Sequence, residues 1–159
     1  MMSVNAIILS IQPRYAEKIF DGSKAVELRR VRPKVDKGDV ALVYVSSPVK
    51  AMHGAFSIEK VIVAPLNELW GYVKGIAGIT RKEFDAYYEG ATVGVGIFIN
   101  LSSLRELNTP MELNHLRRNW PRFQPPQSYR YLSSVVEQYT RVPSQLQRLI
   151  KSVASMEQS

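Results

Sequence analysis

Apolar residues in this chain fall in short runs whose spacing changes several times. Ala6 to Leu9 with Ile11 make a compact apolar segment of strand length. Tyr15, Ile19 and Phe20 follow at i, i+4, i+5. Pro13 suits the first position of a helix and Gly22 the position just past its end, so a short helix is predicted between them. Val26, Glu27, Leu28 and Arg29 then alternate apolar with charged, the period of a half-buried strand. Val40 to Val45 is continuously apolar, the mark of a strand covered on both faces, and Ser46, Ser47 and Pro48 end it. Met52 to Val63 reads as a long strand bent at Gly54. Leu66 to Lys74 and Thr80 to Tyr88 read as helices, the second opened by a Thr80 and Glu83 capping box. Ala91 to Leu101 reads as a further strand, in which Gly94 and Gly96 suggest close backbone approach or a barrel bend. Thr109, Pro110 and Glu112 mark a helix start. From Ser144, Leu146, Leu149, Ile150 and Val153 place one apolar stripe on a C-terminal amphipathic helix.

Short strands interspersed with a few helices, without regular βαβ spacing, predict an α+β fold built on a mainly antiparallel curled sheet. A chain of 159 residues is long enough for one domain with a sizeable core. The expected division is a domain over residues 1–132 and a helical extension over 133–159 packed on or near it. The absence of cysteine excludes disulfides and thiolate metal sites and fits a reducing cytoplasm. Two histidines leave little for a metal, so no metal site and no cofactor are expected. The apolar run at Ala6 to Ile11 is too short for a signal peptide or a membrane span.

The net charge of +7 suggests an acidic partner, nucleic acid ahead of an acidic small molecule, with simple solubility as the alternative. Lys24, Arg29, Arg30, Arg32, Lys34 and Lys37 cluster against only Glu27 and Asp36, and Arg117, Arg118 and Arg122 surround Trp120. Glu27 and Arg29 share a strand face about 6.5 Å apart. That spacing lets them pair with each other or jointly receive a polar ligand.

Gly22, Lys24, Glu27 and Arg29 spell GxKxxExR, which resembles the signature of the ASCH domain family, whose members look like RNA-binding PUA domains. Ile8 to Ile11, Gly38 with Asp39, Tyr44 to Pro48 and Pro125 to Leu132 extend the resemblance over about residues 6 to 132. It implies a PUA-like β-pseudobarrel of five to seven strands with flanking helices, the motif lining a cleft between barrel and helices. It also implies that Ser46 and Ser47 reach this cleft, against the alternative of a turn role. Gln127 and Tyr129 offer hydrogen-bonding groups and a ring to an occupant, or else pack the barrel edge.

The resulting expectation is a cytoplasmic RNA-binding protein, a regulator of transcription or translation, with no membrane contact. Its nucleic-acid-binding residues are Lys24, Glu27, Arg29, Arg30, Ser46, Ser47, Arg118, Gln127 and Tyr129. The rival expectation is a hydrolase using the same cleft, with Lys24 and Glu27 as catalytic candidates. As a ribonuclease, Glu27 would take the 2′-hydroxyl proton while Lys24 and Arg29 stabilise the phosphorane. Some ASCH-like proteins resemble N-acylcytidine amidohydrolases, in which a threonine stands where this chain has Glu27. Arg29 is expected to be solvated in an open cleft and to contribute little to folding.

Overall fold

The computed structural model describes residues 5–132 and 141–156. Residues 133–140, where the expected extension begins, lie outside them. Strand β1 (Ala6–Ile11) leads into helix α1 (Pro13–Phe20), with proline in its first turn as its sequence requires. Gly22 follows at φ +87°, a left-handed value that glycine adopts without a Cβ clash. Strands β2 (Val26–Arg29), β3 (Val40–Val45) and β4 (Ala51–Pro65) come next, then helices α2 (Leu66–Val73) and α3 (Arg81–Tyr87). Strand β5 (Val93–Glu112), helix α4 (Leu113–Asn119), strand β6 (Tyr129–Leu132) and helix α5 (Ser144–Met156) complete the described elements.

The six strands form one sheet in the order β2-β5-β4-β3-β1-β6. Every neighbouring pair is antiparallel except β1 with β3, joined through α1 and β2. The fold is therefore α+β, with a curled, mainly antiparallel sheet, as the sequence predicted. The bend in β4 falls at His53, where the register with β3 and with β5 shifts between Met52 and Gly54. Gly54 is obligatory, since a Cβ there would overlap the carbonyl oxygen of Arg105 and the ring of Phe20.

One expected helix start is corrected. Thr109, Pro110 and Glu112 belong to the end of β5, whose Met111 and Glu112 pair with Met52 and Ala51, and the helix opens only at Leu113. The cap-like sequence loses to the long ladder with β4, which extends the strand beyond the reach of local signals. No side-chain cap forms at Glu112.

Three apolar clusters divide the molecule. Ile7, Leu9, Ala41, Val43, Phe56, Val95 and Ile97 fill the inside of the curl, with Ala16 and Ile19 of α1 against them. Ile8, Leu42, Tyr44 and Met52 on the opposite face are covered by Leu146, Leu149, Ile150 and Val153 of α5, so the C-terminal stripe serves the same sheet. Val26, Leu28 and Phe98 are covered by Leu69 and Val73 of α2 and Phe84 of α3. Gly94 permits this approach, because a Cβ there would meet the Tyr88 ring at 2.7 Å. Leu28 is 7% exposed within this last cluster. Leu28→Ala is expected to lower the unfolding free energy by about 2–5 kcal/mol, read as a shift in urea midpoint at constant slope. An unchanged midpoint would place Leu28 outside the core.

Candidate functional site

Alternation along β2 turns Val26 and Leu28 outward to the helices and Glu27 and Arg29 into the curl, opposite Ile97 and Val95. Two charges thus enter an apolar interior, and each finds partners. One Arg29 Nη donates to Glu27 Oε2 at 2.8 Å and to the Ser10 carbonyl at 3.1 Å. The other donates to Ser128 Oγ at 2.9 Å and to the Ser128 carbonyl at 3.2 Å. Ser10 is on β1 and Ser128 immediately precedes β6, whereas β2 is the far edge of the sheet. Arg29 therefore ties the two ends of the curl together. Its side chain is 11% exposed and that of Glu27 9%, so the expectation of a solvated pair is corrected. The guanidinium is largely occupied by closing the barrel.

Lys24 lies just before β2, where Asp21 and Gly22 return the chain from α1. Its side chain is 3% exposed. Nζ donates to the Ala77 carbonyl at 2.8 Å, stands 3.9 Å from Glu27 Oε1 and lies 5.2 Å from the Tyr15 ring centre. Burial pulls the Lys24 pKa below the ordinary lysine value, an effect that the Glu27 carboxylate opposes and the neighbouring cations Lys18 and Arg29 reinforce.

These groups line a cleft of about 360 Å³, the size range of small-ligand sites. Ser10, Gln12 and Tyr15 reach it from β1 and the start of α1, Ser46 from the end of β3, and Gln127 from the approach to β6. Ile79, Glu83 and Tyr87 close the other side from α3 and the loop before it. Tyr87 Oη donates to the Leu28 carbonyl at 3.2 Å, and burial raises its pKa, which keeps the phenol protonated. The capping box predicted from Thr80 and Glu83 is present and fixes the start of α3.

Of the nine predicted site residues, Lys24, Glu27, Arg29, Ser46 and Gln127 meet in this cleft. Arg30, Ser47, Arg118 and Tyr129 are not among its lining residues. Arg30 is exposed and donates to the carbonyls of Tyr87 and Glu89. Ser47 and Arg118 are exposed elsewhere, and Tyr129 stacks edge-on with Tyr131 at 5.4 Å. Nor do the six cations of residues 24–37 make one face. Lys24 and Arg29 turn inward, Arg32 pairs with Asp36, and Lys34 and Lys37 are exposed. Ser10, Gln12, Tyr15 and Glu83 carry no site signal in the sequence, and Tyr87 reads there as a core aromatic before a base-stacking one, yet all five line the cleft. In the sequence Tyr15 reads only as part of an apolar stripe, although its position in the first turn of α1, beside the motif, is the available signal.

Among the described residues, no three His, Cys, Asp or Glu side chains converge to hold a metal ion. None of the described helices is long and apolar enough to cross a membrane. The arrangement instead supplies a buried amine, a carboxylate fixed by a guanidinium, a second carboxylate at the rim and two phenols around one polar cavity.

The chain is 29% identical over 126 residues to an ASCH domain-containing ribonuclease of Zymomonas mobilis, spanning 79% of this chain and 82% of that protein. A crystal structure of ASCH from Zymomonas mobilis matches with a TM-score of 0.74 at 26% identity, covering 81% of this chain and 88% of the other. The large ribosomal subunit protein uL22 of Ureaplasma parvum is 35% identical over 89 residues, which are 55% of this chain but 28% of that protein. The ASCH domain pattern itself matches residues 9–109, a span that contains the β2 motif, α3 and most of the cleft. With this match over more than half of its length and its fold shared with the Zymomonas mobilis structure, the chain belongs to the ASCH domain family.

Proposed function

We propose that the cleft binds single-stranded RNA and cleaves it, with Lys24 as the proton acceptor. The observation that carries this reading is the placement of Lys24: a buried amine of lowered pKa at the base of an open polar cleft. Desolvation favours the neutral form of this amine, the form that can accept a proton. Neutral Lys24 can donate one N–H to the Ala77 carbonyl and turn another toward Glu27, leaving its lone pair for a ribose 2′-hydroxyl. The 2′-oxygen then attacks the adjacent phosphorus, and the newly formed ammonium stabilises the charge on the phosphorane. The bond to the 5′-oxygen breaks, that oxygen takes a proton from Tyr87, and a 2′,3′-cyclic phosphate remains.

One Glu27 oxygen already accepts from Arg29 at 2.8 Å, so this carboxylate is committed to the ion pair. Its role on this reading is to orient Lys24, and that of Arg29 is to position Glu27. The relationship to a Zymomonas mobilis protein named as a ribonuclease supports the choice of RNA. The net charge of +7 supports a polyanionic ligand.

The test incubates the protein with defined single-stranded and double-stranded RNA and DNA, scoring retention and breakdown separately. Single-stranded RNA is expected to be retained at micromolar concentration, with a log–log salt slope of magnitude about 2–4. Breakdown should leave cyclic phosphate ends and stop when 2′-O-methyl nucleotides replace ribose. Retention without breakdown would leave a cytoplasmic RNA-binding regulator as the function. Failure to retain RNA at low salt would end both readings.

A further inference from the structure

The loop before α3 is held by two lysines at successive carbonyls. Lys24 Nζ donates to the Ala77 oxygen at 2.8 Å and Lys18 Nζ to the Gly78 oxygen at 2.6 Å. Gly78 is wedged between their stems: a Cβ on it would come within 3.1 Å of Lys24 Cβ and 3.3 Å of Lys18 Cδ. Its φ of +69° is a second reason for glycine there. One loop residue therefore separates two ammonium-bearing side chains that face different cavities. Lys24 opens on the cleft, while Lys18 borders a shallow depression of about 420 Å³ with Ser23, Gly75, Gly78 and Thr80. Ile79 and Glu83 line both cavities, so the two share one wall.

The two lysines differ in what they lack. Lys24 has Glu27 beside it, whereas among the described residues no carboxylate comes within ion-pair distance of Lys18. The Lys18 ammonium donates one bond to a neutral carbonyl and keeps two further donors at the edge of the depression. Ser23 adds an exposed hydroxyl on the same rim. A half-buried cation with spare donors, across a shared wall from the reactive amine, is suited to hold the next anion along a strand.

The geometry points to a second phosphate subsite at Lys18, so that the substrate class is a single-stranded RNA of at least two nucleotides and not a free nucleoside or mononucleotide. This rests on the RNA reading of the cleft. One nucleotide occupies the cleft beside Lys24, and the flanking phosphate lies in the depression against Lys18 and Ser23. Gly78 keeps the two cations apart, and the backbone passing between them sets the register of the strand.

Titrations with a 2′-O-methyl pentauridylate, which binds without being cut, and with uridine 3′-monophosphate test the assignment across several salt concentrations. The wild-type protein should prefer the pentanucleotide. Lys18→Ala should weaken pentanucleotide binding about fivefold, the upper end for an exposed ion pair, and reduce its log–log salt slope by about 0.7, the share of one phosphate on a single strand. Mononucleotide binding should stay unchanged. Ser23→Asp leaves the Lys18 tether to Gly78 intact and should weaken the pentanucleotide selectively by placing a negative charge in the depression. Wild-type affinity and slope in both variants, or equal losses for both probes, would overturn the subsite while leaving the cleft reading standing. Absence of pentanucleotide binding by the wild-type protein would instead remove the RNA reading, and the subsite with it.

Discussion

Arg29→Ala is expected to lower the unfolding free energy by about 3–5 kcal/mol, the cost of removing one partner from a buried ion pair. The side chain donates to Glu27, to the Ser10 carbonyl and to both oxygens of Ser128, and only 11% of it is exposed. Its loss leaves the Glu27 carboxylate 9% exposed, with Lys24 at 3.9 Å as the nearest remaining cation. It also unfastens β2, at one end of the curl, from β1 and the segment leading into β6 at the other. Arg29→Lys should recover little of the loss, because an ammonium cannot reproduce a planar fork that reaches three residues on two sheet edges. Urea unfolding of the two variants gives the answer. A midpoint unmoved by Arg29→Ala would mean that the guanidinium is a ligand-binding group and not a clasp.

The second large effect is on chemistry. Lys24→Met should reduce RNA cleavage by about 10²–10⁴-fold, the usual contribution of a positioned base, while the protein stays folded. Lys24→Arg should not restore it, since a guanidinium remains protonated throughout the accessible pH range and cannot accept the 2′-hydroxyl proton. In the wild-type protein, cleavage above the background of alkaline hydrolysis should rise with pH and level off above the lowered Lys24 pKa. That limb should be missing in Lys24→Met.

The same shift has a consequence for stability. The folded-state pKa of Lys24 lies below its unfolded value, so between the two the unfolded chain holds a proton that the folded one has released. Stability contributed by this residue therefore climbs with pH across that window, from the lowered pKa to about 10.4. Lys24→Met should flatten the climb. Cleavage by Lys24→Met at the wild-type rate would remove the amine from the mechanism.

Local pattern was enough to place most elements. The proline and glycine bounding α1, the continuous apolar run of β3, the capping box of α3 and the stripe of α5 each depend on residues within a few positions of one another. The alternation in β2 likewise put Glu27 and Arg29 on one face, and the GxKxxExR spacing pointed to the cleft. Local signals failed at Thr109 to Glu112, where pairing with β4 carries the strand past a helix-like cap.

What surrounds the motif was decided by the curl of the sheet. Alternation says which side of β2 carries a charge, but not whether that side meets water or another strand. The order β2-β5-β4-β3-β1-β6 sends β2 to one edge, and curling brings it back against Ser10 and Ser128, 19 and 99 residues away in sequence. That closure buries Arg29 and turns it into a clasp, and the Gly75 to Ile79 loop buries the Lys24 amine. Burial depends on contacts between residues far apart in the chain, and those distances are set only when the whole sheet has formed.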